Sequence, residues 1–402
     1  MITGGILPRP ILKFKYGTAL TPIEGLKLNL KPFSGPSKIK IELLIGNEAK
    51  SNAEELFENL TYGVKGYPGI SEVFNCEVDV LNKIIVNENN FLKSINDISS
   101  SSDIILAFIP DEMQLPYNLD PYMPIKRELS MRGIVSQMVN YSTCKYLKNN
   151  SYVLYNLALN IYSKAGGKPW TLNETLSSQI FIGYDTAPGI IVATIIQGKP
   201  PMKFKWEIEL TRHPEIASNV DELIIKLVNE FNLNEPINSL TVHKDGRIHQ
   251  KEIIKIRSAI KELIKRNLMK SNANWNIIEV KKKFTPRILR VIKNLMENPE
   301  KGTYIKLNKY STVICTTGYP ERKILFQAPV RPIMIEVVDS KYWNYNLDII
   351  SRDIYWLSEL HYASAFTSTK LPITILYAHR ICSFWNADVK PKSNLKEKLW
   401  FL

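Results

Sequence analysis

The run Ala165-Gly-Gly-Lys-Pro-Trp170 separates two different rhythms of secondary structure, and this break limits the fold more than any other feature of the sequence. Before it, apolar strand-like runs at Ile39 to Ile45 and Ile104 to Ile109 alternate with helical stretches such as Ala53 to Leu60, the βα rhythm of an open sheet flanked by helices. After it come three closely spaced runs, Gln179 to Tyr184, Ile190 to Ile196 and Phe204 to Leu210, joined by turns bearing Pro and Gly, which predict an antiparallel meander. Apolar residues then recur at three- and four-residue intervals from Ile216 to Phe231, a short strand follows at Leu240 to Val242, and a second amphipathic helix carries Ile253 through Leu268. Three strands, helix, strand, helix is the order of a ribonuclease-H-like domain. The chain is therefore read as α/β, with an open sheet flanked by helices before the break and the ribonuclease-H-like order of elements after it. The Pro- and Gly-rich segment to about Ser37 is read as an extended arm that must pack on another part of the chain.

At 402 residues and 45% hydrophobic content there is enough apolar surface for two cores. The 52 Lys and Arg exceed the 39 Asp and Glu by 13 charges, which points to a polyanionic partner, with a basic solvated surface as the plainer explanation. Cys76, Cys144, Cys315 and Cys382 are widely separated, without a CxxC pair, so neither a zinc site nor a disulfide framework is implied. The start lacks the basic and apolar regions of a signal peptide, and no apolar run is long enough to span a bilayer. These features lead to the expectation of a cytoplasmic protein without direct membrane insertion.

The most informative stretch is Tyr122-Met-Pro-Ile-Lys126-Arg-Glu-Leu-Ser-Met-Arg-Gly-Ile-Val-Ser-Gln137-Met-Val, with Lys164 just before the Gly166-Gly167 pair. A terminal phosphate carries close to two negative charges. Two ammonium groups and an amide can hold it by charge-assisted hydrogen bonds while a tyrosine ring stacks on the first base. Tyr122 and Lys126, four residues apart on a helix, share one face. Singly, each is more simply a surface or packing residue. In this order and spacing they resemble the MID-domain signature of the Argonaute family. The arm segments Ile11-Leu-Lys-Phe-Lys-Tyr-Gly17 and Gly25-Leu-Lys-Leu-Asn-Leu-Lys-Pro-Phe33 are similar to that family's N-terminal pattern, departing from it where Leu30 and Lys31 replace an expected Gly. The stretch from Leu360 to Arg380 is similar to its late PIWI motif.

The resemblance implies a short prokaryotic Argonaute of MID and PIWI domains only, with a Rossmann-like MID domain over residues 38–165, a ribonuclease-H-like PIWI domain over 166–402 and the arm 1–37 packed on PIWI. It implies that Tyr122, Lys126, Gln137 and Lys164 bind a guide 5′-phosphate, with the terminal carboxylate of Leu402 helping to hold a cation there. Mg²⁺, or Mn²⁺, suits such an oxygen-rich site. Matched to the slicer tetrad of the family, Asp185, Asp245 and His379 take the first, third and fourth positions, and Glu215 is the best match for the inserted glutamate, with Glu222 competing. Asp185 and Asp245 would also be metal ligands. Without the family, Asp185 is a strand-end residue, Lys244-Asp245-Gly246 a turn, and His379 one histidine on an apolar helix. The expected function is guide-directed recognition of complementary RNA or DNA in host defence, with output through an associated effector protein. The alternatives are a metal-dependent slicer endonuclease and a non-guided single-strand binding protein. The basic run Lys281, Lys282, Lys283 and Arg287 is read either as a face for a second protein or as solvated charge.

Overall fold

In the computed structural model, the described residues are 3–87, 90–99, 101–112, 120–211, 216–283, 285–293, 295–321, 329–342 and 345–402. They form two compact units. One comprises Met1–Ile11, Leu172–His361 and Thr367–Asn386; the other comprises Leu12–Thr171, Tyr362–Phe366 and Ala387–Leu402.

The second unit is built on a four-stranded parallel sheet in the spatial order Glu77–Val86, Lys38–Gly46, Ile104–Ile109, Val135–Asn140. The first strand in the chain lies inside the second, which is the doubly wound arrangement of a Rossmann-like fold. Central strand Ile104–Ile109 is apolar and buried at every position because helices cover both faces, and Lys38–Gly46 is buried from Ile41 onward. A cluster including Leu44, Phe91, Ile105, Ile125 and Leu129 fills one of these layers.

The N-terminal segment divides between the units. Thr3–Ile6 pairs antiparallel with Thr303–Lys306 in the first unit. Leu12 onward clusters with the second unit, where Phe14 is buried 6.3 Å from the Trp170 ring and the Phe33 amide donates to the Pro169 carbonyl at 3.0 Å. The last segment of the chain joins the second unit as well. The Lys392 amide donates to the Ser130 carbonyl at 3.0 Å, and the Asn394 amide group to the Gly133 carbonyl at 3.0 Å.

The first unit carries a nine-stranded mixed sheet. Ile180–Ala187, Ile190–Gln197 and Phe204–Leu210 form the antiparallel meander, and Ile237–Asp245 then pairs parallel with the first of them. Met269–Lys281 adds parallel beyond it. Numbered along the chain, these five strands lie in the order 3-2-1-4-5, the ribonuclease-H-like arrangement. Helices Val220–Glu230 and Gln250–Lys265 bury their apolar stripes on one face, with Leu223, Leu227, Ile256 and Leu263 fully enclosed.

The opposite face receives helix Ile373–Asn386, and its seating depends on a missing side chain. A Cβ at Gly183 would lie 2.5 Å from the backbone carbonyl of Thr374, so only glycine lets the helix approach this closely. Thr194 donates its hydroxyl to that carbonyl at 2.7 Å, and the Thr374 hydroxyl meets Nδ1 of His243 at 3.0 Å. Burial pushes the His243 imidazole down to about 3, so it serves here as a neutral hydrogen-bonding group. We predict that Gly183→Ala lowers the unfolding free energy by about 1–3 kcal/mol through overpacking, as read by chemical denaturation. A stability equal to wild type would show that the helix is not held by this contact.

Candidate nucleic-acid sites

Two clusters of the anticipated residues assemble, one in each unit. In the second unit, helix Tyr122–Arg132 runs into Gly133, whose φ of +77° supplies the left-handed turn that ends it. The chain then enters strand Val135–Asn140. Lys126, on the buried face of that helix, and Lys164, at the last turn of helix Ser151–Lys164, are each 2% exposed. Their ammonium groups converge on one backbone atom, the Ser136 carbonyl, at 3.5 Å from Lys126 and 3.1 Å from Lys164. Lys164 also donates to Oε1 of Gln137 at 2.8 Å, while the Gln137 amide nitrogen donates to the Met138 carbonyl at 2.8 Å. Lys126 donates to the Trp400 carbonyl at 2.5 Å and lies 5.6 Å from the Trp400 ring centre.

Tyr122 opens the same helix, half-buried against the apolar cluster of the unit, and its backbone amide is fixed by the Asp120 carboxylate at 2.9 Å. Leu402 lies in this unit, half-exposed, its amide donating to the Leu399 carbonyl at 3.1 Å. The buried hydroxyls of Ser136 and Ser163 have no hydrogen-bond partner among the described residues. Two like charges brought to one enclosed polar point repel each other and have lost water. An anion accepting from both would offset the two costs together.

Burial pushes the Lys126 ammonium down to about 7 from its ordinary 10.5. Because the folded pKa lies below the unfolded one, the cost of burying the charge is fully present below about pH 7 and fades as pH rises toward 10.5. We predict that Lys126→Met raises stability at pH 6 by up to about 4 kcal/mol, and that the gain shrinks at pH 9. A gain that is constant with pH would show that Lys126 is not held charged at a desolvated position.

In the first unit the parallel register Leu240↔Ile180 through Lys244↔Tyr184 brings the following residues, Asp245 and Asp185, to the same end of adjacent strands. Helix Ile373–Asn386 supplies His379. Its Nδ1 lies 2.8 Å from Oδ2 of Asp185 and 3.7 Å from Oδ2 of Asp245. One ligand atom from each of the three fits within 4.8 Å of the others, a spacing that a single divalent cation spans. Both aspartates are largely buried, with side chains 12% and 5% exposed. Burial and the neighbouring Asp185 raise the pKa of Asp245 against the lowering pull of Lys282 and His379. The cluster opens into a cleft of about 580 Å³. Glu215 lies outside the described residues. Glu222 is exposed on the first turn of helix Val220–Glu230.

One group in the cleft was not anticipated as part of the site. Lys282, just beyond strand Met269–Lys281, places its ammonium 2.5 Å from Oδ2 of Asp245 and 3.5 Å from Nδ1 of His379. The anticipated basic face is thereby reduced, because Lys281 is held by Glu279 and Glu336 at 2.7 and 2.6 Å. Lys283 and Arg287 remain exposed. The strand register holds the signal for Lys282. Asp245 pairs with Val280, so the side chain two residues farther on points to the same face.

Residues 104–387 match the Piwi domain family. A Piwi protein of Archaeoglobus fulgidus is 23% identical, with 94% of this chain and 93% of that protein aligned. The Protein argonaute of Aquifex aeolicus is 24% identical over 72% of this chain and 39% of its own length. Among solved structures, Clostridium butyricum Argonaute bound to a guide DNA and a 19-mer target DNA superposes with a TM-score of 0.77 at 22% identity, covering 100% of this chain and 55% of that one. Drosophila Piwi superposes with a TM-score of 0.79 at 16% identity, covering 99% and 56%. The chain thus spans about half the length of those two solved chains. The match extends over well more than half of the sequence, from strand Ile104–Ile109 of the parallel sheet through the five strands of the ribonuclease-H-like arrangement, and the chain belongs to the Piwi domain family of Argonaute-like proteins.

Proposed function

We propose that this protein binds the 5′-phosphorylated end of a guide strand through Lys126, Lys164, Gln137 and Tyr122 and uses the guide to recognise a complementary strand. The carrying observation is the convergence of two buried ammonium groups beside an amide side chain. A phosphate with nearly two negative charges matches that donor set, and the half-buried Tyr122 ring suits stacking on the first base. The binding of guide and target DNA by the Clostridium protein supports the same reading. Leu402 joins it as a donor of carboxylate oxygen to a cation at the phosphate, where Mg²⁺ or Mn²⁺ would bring further charge neutralisation.

We further propose that recognition in host defence, within the cytoplasm, is passed to an associated effector protein and that cutting by the chain itself is slow or absent. Among the described residues no helix is long and apolar enough to cross a membrane, so an effect on membranes would be exerted through that partner. The donor set of Asp185, Asp245 and His379 fits one divalent cation, which there would supply Lewis-acid polarisation of a phosphate. Slicing further requires a glutamate, assigned to Glu215, delivered to the same cleft. The slicer reading is kept as the second, favoured by the assembly of those three residues.

Replacing Lys126 and Lys164 together by Ala is predicted to weaken binding of a 5′-phosphorylated strand by about 100-fold or more, since each charge-assisted hydrogen bond is worth about 1.5–3 kcal/mol. The same strand with a 5′-hydroxyl should lose much less, and equal losses would reduce the lysines to diffuse positive charge. In a single-turnover assay with Mg²⁺ or Mn²⁺, a 5′-phosphorylated guide and a labelled target, wild type should give little product. A single cut at a fixed distance from the guide 5′ end, abolished by Asp185→Ala or Asp245→Ala, would replace the non-cleaving reading with the slicer.

A further inference from the structure

We propose that Lys282 is a built-in counter-cation of the Asp185, Asp245 and His379 centre, and that it keeps divalent-ion occupancy there weak by holding a position that a metal would need. The inference deepens the non-cleaving reading above and rests on its assignment of Asp185 and Asp245 as cation ligands.

The argument is one of charge and space. Two aspartates are the carboxylates brought together among the described residues of the cluster, and the Lys282 ammonium cancels one of their two negative charges. The remaining charge is too small to hold a pair of divalent ions against their mutual repulsion. The position is equally restrictive. An ion bonded to Oδ2 of Asp245 at about 2.1 Å cannot lie more than about 4.6 Å from the Lys282 nitrogen, which itself sits 2.5 Å from that oxygen. The second carboxylate carries a similar encumbrance, since Oδ2 of Asp185 is engaged by Nδ1 of His379 at 2.8 Å. A divalent ion bound to Asp245 therefore lies within about 4.6 Å of the ammonium charge and is repelled by it unless the lysine swings away.

Lys282 is well placed to hold that post. Its backbone carbonyl accepts from the Lys370 ammonium at 2.5 Å, which fixes the chain just past the strand end. Its neighbour Lys281 is turned to Glu279 and Glu336, so the two adjacent lysines serve separate carboxylate groups. The side chain of Lys282 is 27% exposed, accessible from the cleft, and its loss leaves no buried partner other than the aspartate it covers.

The test is Mn²⁺ binding by the full chain at neutral pH, followed by electron paramagnetic resonance of the free ion, in wild type, Lys282→Met, Lys282→Gln, Lys282→Arg and each of these with Asp185→Ala and Asp245→Ala. Removing the charge should tighten Mn²⁺ binding at this centre by about tenfold or more, whereas Lys282→Arg, which keeps the charge, should remain within about threefold of wild type. The gain should vanish when the aspartates are absent. Met and Gln variants with wild-type Mn²⁺ affinity would overturn the proposal, as would a gain that persists without the aspartates. Discrimination between 5′-phosphate and 5′-hydroxyl strands, which depends on Lys126 and Lys164, should be unchanged in all Lys282 variants. The outcome for the counter-cation is therefore separate from that for guide binding. Mn²⁺ affinity that falls with the aspartates but does not respond to Lys282 would leave them as cation ligands and remove the lysine from the account.

Discussion

A lysine ammonium is among the most expensive groups to enclose in a protein, and the second unit encloses two that meet at the same carbonyl oxygen. Much of the local architecture is arranged around them. Helix Tyr122–Arg132 must end abruptly at Gly133 for the chain to turn into strand Val135–Asn140, which presents the Ser136 carbonyl to both lysines and the Gln137 side chain to Lys164. Helix Ser151–Lys164 must be apolar enough to bury its final turn, and it is, with nine of its residues enclosed. The segment ending in Trp400 and Phe401 packs both aromatics into the unit and offers a backbone carbonyl to Lys126. A hydrophobic surround of this kind strengthens any charge-assisted bond made inside it, so the expense of burial becomes affinity once an anion is present.

The first unit achieves its site by another route, through strand register. Parallel pairing of Ile237–Asp245 with Ile180–Ala187 puts two carboxylates side by side, and Gly183 lets helix Ile373–Asn386 come close enough to bring His379 over them. The neighbouring residues are locked by a buried network. The Glu252 carboxylate accepts from the Lys244 ammonium at 2.6 Å, the His249 amide at 2.7 Å and the Ala217 amide at 3.1 Å. Such an ion pair contributes little net stability on average, but it restrains the strand ends that carry the aspartates. The same register delivers Lys282, and a cation on the protein then occupies space that a cation from solution would share.

The strongly periodic parts of the fold were legible in the sequence. The meander from Ile180, the two amphipathic helices and the parallel strand Ile104–Ile109 follow from apolar spacing, because these segments bury one stripe or both faces. Strand Glu77–Val86 was not legible, since it lies at a sheet edge with most of its side chains exposed, and its charged residues interrupt the alternation. The Pro- and Gly-rich start was legible as non-periodic but not in its division at Ile11, which depends on where Phe14 finds a core. Of the candidate residues, Lys126, Gln137 and Lys164 lie together, as do Asp185, Asp245 and His379, and it was the family resemblance rather than any local spacing that singled out these sets. Lys282 was hidden in a basic run because its meaning lies in a pairing with Asp245 across 37 positions of sequence, which no local pattern expresses.

The proposed enclosed site for a terminal phosphate would make a demand on any nucleic acid that the protein bound, whereas diffuse positive charge would make none. The most direct measurement is to sequence the nucleic acid that copurifies with the protein from its native source and to record strand length, sugar type and end chemistry. The account predicts short strands of narrow length distribution, uniformly bearing a 5′-monophosphate. A broad range of lengths with 5′-hydroxyl or mixed ends would contradict it.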